Sequence, residues 1–169
     1  GDDLISGNGS TRISYLNADA GVLVDLSAGI AHGLDDDDAA GIGIDTLENG
    51  VTSIHGSRFD DVLLGPGAVI RGGLGNDHIE ATRVDYRNSP EGVHVDLYRG
   101  QAEDGFGGTD TIVNIERVTG SDLGDDVLIG NASSNDLDGL GGDDLLIGSA
   151  PEVDPEWDGT LYGGSILRG

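Results

Sequence analysis

Aspartates recur along this chain at intervals that suit shared cation binding. Asp45, Asp61 and Asp77 are spaced 16 residues apart, Asp110 precedes Asp126 by 16, and Asp126 precedes Asp144 by 18. If the chain winds in turns of that length, the side chains stack into two ladders, Asp45–Asp61–Asp77 and Asp110–Asp126–Asp144. Stacked anions repel one another, so the spacing calls for a cation between rungs. Short aspartate arms ending in hard oxygens are characteristic ligands of Ca2+.

Glycines frame these positions. Gly72-Gly73-Leu74-Gly75-Asn76-Asp77-His78-Ile79-Glu80 has glycine at positions one, two and four, aspartate at six and one large apolar residue at eight. The glycines permit a tight loop of positive φ, and the aspartate offers its carboxylate to that loop. A looser copy contains Gly139, Gly142, Asp143 and Asp144. The candidate ligands are therefore Asp61, Asp77, Asp126 and Asp144, with Gly72, Gly73, Gly75, Asn76, Gly139, Gly142 and Asp143 shaping the loops. Asp45 and Asp110 join them by spacing alone, in Asp-Thr-Leu and Asp-Thr-Ile contexts without the glycine loop. Several Ca2+ ions are expected, with little or no binding where Asn135 replaces aspartate. The Asp35–Asp38 run reads as a solvated loop. An EF-hand starting at Asp136 fails, because Leu145 stands where the bidentate glutamate is required.

The elements that must position these residues are short strands. Leu128, Leu137 and Leu146 recur every nine residues, a period foreign to an α-helix and natural to a strand-and-turn unit. Two such half-turns make one turn of about eighteen, as the aspartate spacing requires. A longer repeat contains the short ones. Thr11 to Tyr15 and Gly21 to Leu26 return as Thr82 to Tyr86 and Gly92 to Leu97, with an offset of 71 residues. The domain organisation is a single repeat module over 1–169: one copy at about 1–80, a second at about 81–148 and a degenerate turn at 149–169. Val22, Val24 and Leu26 share a strand face, as do Val93, Val95 and Leu97. The expected fold is all-β, a parallel solenoid with looped-out excursions at 33–43 and 102–109.

Composition narrows the partners. The chain carries 32 acids against 8 arginines, has no lysine, and bears a net charge of -24. That balance argues against nucleic acid and anionic membrane surfaces. No apolar run approaches the ~18 residues of a membrane span, so no membrane insertion is expected. With 31 glycines and 4% aromatics, the chain is either disordered or stabilised by bound cations. It has no cysteine, hence no disulfide. Its four histidines form no His-Glu-x-x-His zinc motif, and no nucleophile arrangement stands out, so the chain is not expected to be an enzyme. Arg83, Arg87 and Arg99 are the basic groups that a polysaccharide lyase or epimerase would draw on. The chain lacks an initiating methionine and opens in mid-repeat, as an internal piece of a longer protein would.

Taken with Tyr86, Gly92 to Leu97, Thr109 to Glu116, Gly120-Ser121 and Asp125 to Gly130, the nonapeptide at 72–80 resembles the RTX, or haemolysin-type, calcium-binding repeat family. The longer units are similar to the region flanking the β-roll in serralysin-type secreted proteins. The resemblance implies a right-handed parallel β-roll or β-helix that folds on binding Ca2+. It also implies a secreted, extracellular location, reached by type I secretion as part of a larger protein. A structural, stabilising or surface role follows. The alternatives are an adhesin or glycan-binding module using the two excursions, and a carbohydrate-active enzyme on a parallel β-helix. Open strand edges at the ends of such a fold would also allow end-to-end self-association.

Overall fold

The computed structural model describes residues 1–35, 38–149 and 166–167. Asp36, Asp37 and most of the expected C-terminal turn at 149–169 lie outside the described residues. In chain order the strands are β1 (Leu4–Ile5), β2 (Thr11–Ser14), β3 (Val22–Asp25), β4 (Ile30–Gly33), β5 (Ile44–Leu47), β6 (Val51–His55), β7 (Val62–Arg71) and β8 (His78–Asp85). There follow β9 (His94–Asp96), β10 (Gln101–Glu103), β11 (Thr109–Val113), β12 (Arg117–Thr119), β13 (Val127–Ile129), β14 (Asp136–Asp138), β15 (Leu145–Ile147) and β16 (Ile166–Leu167). All belong to one sheet, mostly parallel, and no helix occurs among the described residues.

The sheet is organised as two rows of strands that share β7 and β8. The first halves of these two strands pair at Leu63 and Ile79, their second halves at Ile70 and Val84, with a register break between Gly65 and Val69. In one row Ile13, Ile54, Ile70, Val84, Val118 and Leu137 stand in register on β2, β6, β7, β8, β12 and β14. In the other, Val24, Leu63, Ile79 and Ile112 align across β3, β7, β8 and β11. Val95, Leu128 and Leu146 continue that row on β9, β13 and β15. Both rows feed a single apolar cluster. Fully burying each such side chain stabilises the fold by about 1.5–3 kcal/mol. With so few aromatics, this aliphatic stack forms most of the core. Leu128 and Leu146 share one row while Leu137 lies in the other, as half-turns of nine residues require.

The expectation of a parallel solenoid needs one correction. Residues 22–47 and 94–113 form antiparallel meanders, β3–β4–β5 and β9–β10–β11, built into the second row. Each meander is laid in reverse: β5 pairs with β1 and β3 with β7, while β11 pairs with β8 and β9 with β13. The physical reason lies in paired local signals. Asp25 closes the β3–β4 turn by accepting the N–H groups of Ser27 and Ala28 at 2.8 and 2.9 Å, and Asp96 accepts that of Arg99 at 2.9 Å. Gly29 and Gly100 end these turns with φ of 71° and 69°. Ala31 and Ala102 then supply small buried side chains to the middle strands. The excursions expected at 33–43 and 102–109 fall largely on the β4–β5 and β10–β11 connections.

Candidate metal centre

Loops preceding β7, β8, β13 and β15 all lie on one edge of the second row, and in each an aspartate folds back on the first glycine, from the sixth position in three loops and the seventh in the Gly120 loop. The pairs are Gly56 with Asp61, Gly72 with Asp77, Gly120 with Asp126, and Gly139 with Asp144. A Cβ on any of these glycines would overlap the carboxylate Oδ2. Glycine begins each loop because the aspartate occupies the space of its missing side chain. All four aspartates are buried. Before β14, Asn135 imitates the arrangement: its Oδ1 accepts the Asn131 N–H at 2.8 Å.

These loops divide into two kinds. In the Gly-Ser loops both carboxylate oxygens are engaged by protein donors. Asp61 Oδ2 accepts the Ser57 N–H at 2.6 Å, while Oδ1 accepts the Ser57 hydroxyl at 2.7 Å and the Val22 N–H at 2.8 Å. Asp126 Oδ2 accepts the Ser121 N–H at 2.8 Å, and Oδ1 the Val93 N–H at 2.8 Å. In the other kind the second residue is left-handed: Gly73 has φ 114° and Leu140 φ 65°. Here Oδ1 still reaches the preceding rung, from Asp77 to the Asp61 N–H at 2.9 Å and from Asp144 to the Asp126 N–H at 3.0 Å. The Oδ2 atoms of Asp77 and Asp144 are buried and no protein donor reaches them.

Asp45 and Asp110 are held differently. Both point inward, and each Oδ2 accepts a buried tyrosine hydroxyl, from Tyr15 at 3.0 Å and from Tyr86 at 2.9 Å. Their Oδ1 atoms accept the N–H of Asp3 at 3.1 Å and of Asp77 at 3.0 Å. The rung order therefore differs from the spacing. Strands β4 and β3 separate Asp45 from Asp61, and β10 and β9 separate Asp110 from Asp126. The stack that forms is Asp61–Asp77–Asp110, with Asp126–Asp144 as a second. Side chains of the residues just before these aspartates bond the opposite way along the axis. Asp60 Oδ1 accepts the Asn76 N–H at 2.7 Å, Asn76 Oδ1 that of Thr109 at 2.9 Å, and Asp125 Oδ1 that of Asp143 at 2.9 Å. Gly75 and Gly142 carry φ of 116° and 123° where adjacent loops press together.

Burial and stacking shape the electrostatics. Burial pushes the Asp77 carboxyl up to about 8, with the charges of Asp110 and Asp61 adding to the rise. Burial also raises Asp110, to about 7, against the opposing hydrogen bonds from the Asp77 N–H and Tyr86. Asp61 and Asp126 are raised by burial as well, with hydrogen bonds opposing. Tyr86 is raised by burial and by the neighbouring charge of Asp110.

Two of the expected ligands leave an oxygen free for a cation. Asp77 and Asp144 each present a desolvated hard oxygen with no competing donor. Asp61, Asp126, Asp45 and Asp110 have both oxygens committed to protein donors. No three acidic or histidine side chains converge in metal-binding geometry among the described residues, so backbone carbonyls would have to complete any site. The serine and tyrosine donors carry no metal-ligand signature of their own in the sequence. Their one signal is recurrence, since Ser57 and Ser121, and Tyr15 and Tyr86, hold matching places in the two copies. Of the arginines singled out, Arg87 pairs with Asp85 at 3.0 Å and Arg99 with Asp96 at 3.2 Å. Arg83 lines a polar groove of about 380 Å³ with Glu116, Arg117, Ser133, Asn135 and Asp136. Against known proteins, the chain matches no family model and no curated sequence.

Proposed function

We propose that this chain is a calcium-binding module whose fold is completed by Ca2+. The observation that carries the reading is the pair of buried, donor-free oxygens on Asp77 and Asp144, in the two loops with a left-handed second residue. Asp77 and Asp144 would hold the ions, with carbonyls of their own and adjacent loops. Asp61, Asp126, Asp45 and Asp110 build the scaffold through hydrogen bonds. Bound Ca2+ supplies positive charge where buried carboxylates otherwise repel one another. Because only the folded chain assembles these oxygens, ion binding becomes folding free energy.

The parallel rows and half-turns near nine residues favour a right-handed β-solenoid as the finer architecture. The module is proposed to be extracellular, exported by type I secretion within a longer protein and acting as a structural or surface element. Low free calcium inside cells and mM calcium outside would confine folding to the far side of export. Ion counting by equilibrium dialysis, beside circular dichroism in chelator and in calcium, tests the proposal. Wild-type chain that binds no Ca2+ at mM concentration would end it.

A glycan-binding role is the second reading, moved from the excursions to the groove at Arg83, Arg117 and Ser133. Binding to a carboxylated glycan on an array, lost in Arg83→Ala, would establish it.

A further inference from the structure

Asp104 belongs to no glycine-aspartate repeat and lies in the turn between β10 and β11. It is nevertheless wholly buried, at 0% exposure. Its Oδ1 closes the turn, accepting the N–H groups of Phe106 at 2.8 Å and Gly108 at 2.9 Å. Its Oδ2 has no donor. That oxygen faces a defined neighbour. A Cβ on Gly108 would overlap the Gly75 carbonyl oxygen and stand 2.7 Å from Asp104 Oδ2, so both oxygens border one point. Gly75 is part of the loop that ends in Asp77, whose own Oδ2 is also donor-free. A desolvated carboxylate oxygen beside a carbonyl oxygen is repulsive as it stands and attractive around a hard cation.

We infer that the β10–β11 turn contributes a ligand to the calcium site of loop 72–77, with Asp104 Oδ2 and the Gly75 carbonyl clamping the ion from opposite sides of the seam. The inference rests on the calcium-binding reading. It gives the ion a second role, fastening the reversed meander to the nonapeptide loop. The first copy provides an internal contrast. There the corresponding turn carries Asp38, whose Oδ1 accepts the Gly43 N–H at 2.9 Å but which is exposed. The point beside Gly43 faces the Gly1 backbone and Asp2 Oδ1, which already accepts the Ile44 N–H at 2.9 Å. No ion is assigned to that turn.

The test counts Ca2+ bound to the full chain by equilibrium dialysis and native mass spectrometry. Asp104→Asn keeps the Oδ1 acceptor that closes the turn and removes the charge. It should bind one ion fewer than wild type, or bind one ion at least tenfold more weakly. Asp77→Asn/Asp104→Asn should lose no more than either single variant, and Asp38→Asn should match wild type. If Asp144→Asn loses an ion while Asp104→Asn keeps the wild-type count and affinity, calcium binding stands and the Asp104 site falls. If wild type binds none, both fall. Should Asp104→Asn fail to fold, Phe106→Trp decides the matter with Asp104 in place. Indole-sensitised Tb3+ emission should rise severalfold above that of the parent chain, and no rise would overturn the assignment.

Discussion

Replacing Asp77 by asparagine should have opposite effects with and without calcium. The Asp77 carboxyl, ordinarily near 3.8, is pushed to about 8 in the fold by burial and by the charges of Asp110 and Asp61. The folded state therefore holds a proton that the unfolded chain releases, and stability falls as pH rises from about 3.8 to about 8. At ~1.4 kcal/mol per tenfold, ionised Asp77 costs the calcium-free fold at most on the order of 5 kcal/mol above pH 8. Asparagine keeps the bond from the Asp61 N–H through Oδ1 and removes the charge. Its amide N–H groups replace an oxygen that has no donor, and leaving them without acceptors costs about 1–3 kcal/mol. A net gain of roughly 2–4 kcal/mol is expected in chelator at pH 8, giving way to the cost of the amide below pH 4. In calcium the sign reverses once the forfeited binding exceeds that gain, since binding is worth ~4.1 kcal/mol at one thousand times Kd and ~5.5 kcal/mol at ten thousand times Kd. Osmolyte-induced folding in chelator, followed by circular dichroism, reads the first effect, and urea unfolding in mM calcium the second. Equal destabilisation in both conditions would mean that Asp77 is a scaffold residue and holds no ion.

Three further substitutions separate scaffold from site. Ser57→Ala removes the hydroxyl bond to Asp61 and the acceptor of the Phe59 N–H; urea unfolding in calcium should show a loss of about 1–2 kcal/mol with no change in bound ions. Tyr86→Phe strips Asp110 Oδ2 of its buried donor and should cost about 1–3 kcal/mol by denaturant titration. That loss should be larger at pH 8 than at pH 5, because the absent hydrogen bond lets the Asp110 carboxyl rise still further above its ordinary value. Leu140→Gly relieves a left-handed leucine at φ 65° and should raise stability by about 1 kcal/mol in a thermal melt with calcium present.

Nonapeptide and nine-residue recurrences revealed the half-turns because those features are local. A strand of three residues with one inward leucine repeats wherever the backbone repeats, and Leu128 and Leu146 meet across β13 and β15 as the period implies. The meanders were less legible. A 16-residue interval between Asp45 and Asp61 reports the length of chain in a turn, and it is blind to strands placed between its ends. The two kinds of loop were hidden for a related reason. Asp110 is satisfied by Tyr86, 24 residues earlier, and Asp45 by Tyr15, 30 residues earlier. Asp61 and Asp77 look alike as sequence positions, yet Ser57 turns one into a scaffold bond while left-handed Gly73 leaves the other open. Asp104 carried no repeat signature, so its burial became visible only once the β10–β11 turn was placed against Gly75.

Calcium-dependent folding is tested most directly by far-ultraviolet circular dichroism and thermal melting of the whole chain in chelator and in mM Ca2+. A β signal with a cooperative melt is expected only when calcium is present, restored by adding calcium to the chelated sample. A chelated chain that keeps the same β signal and melts cooperatively at the same temperature would contradict it.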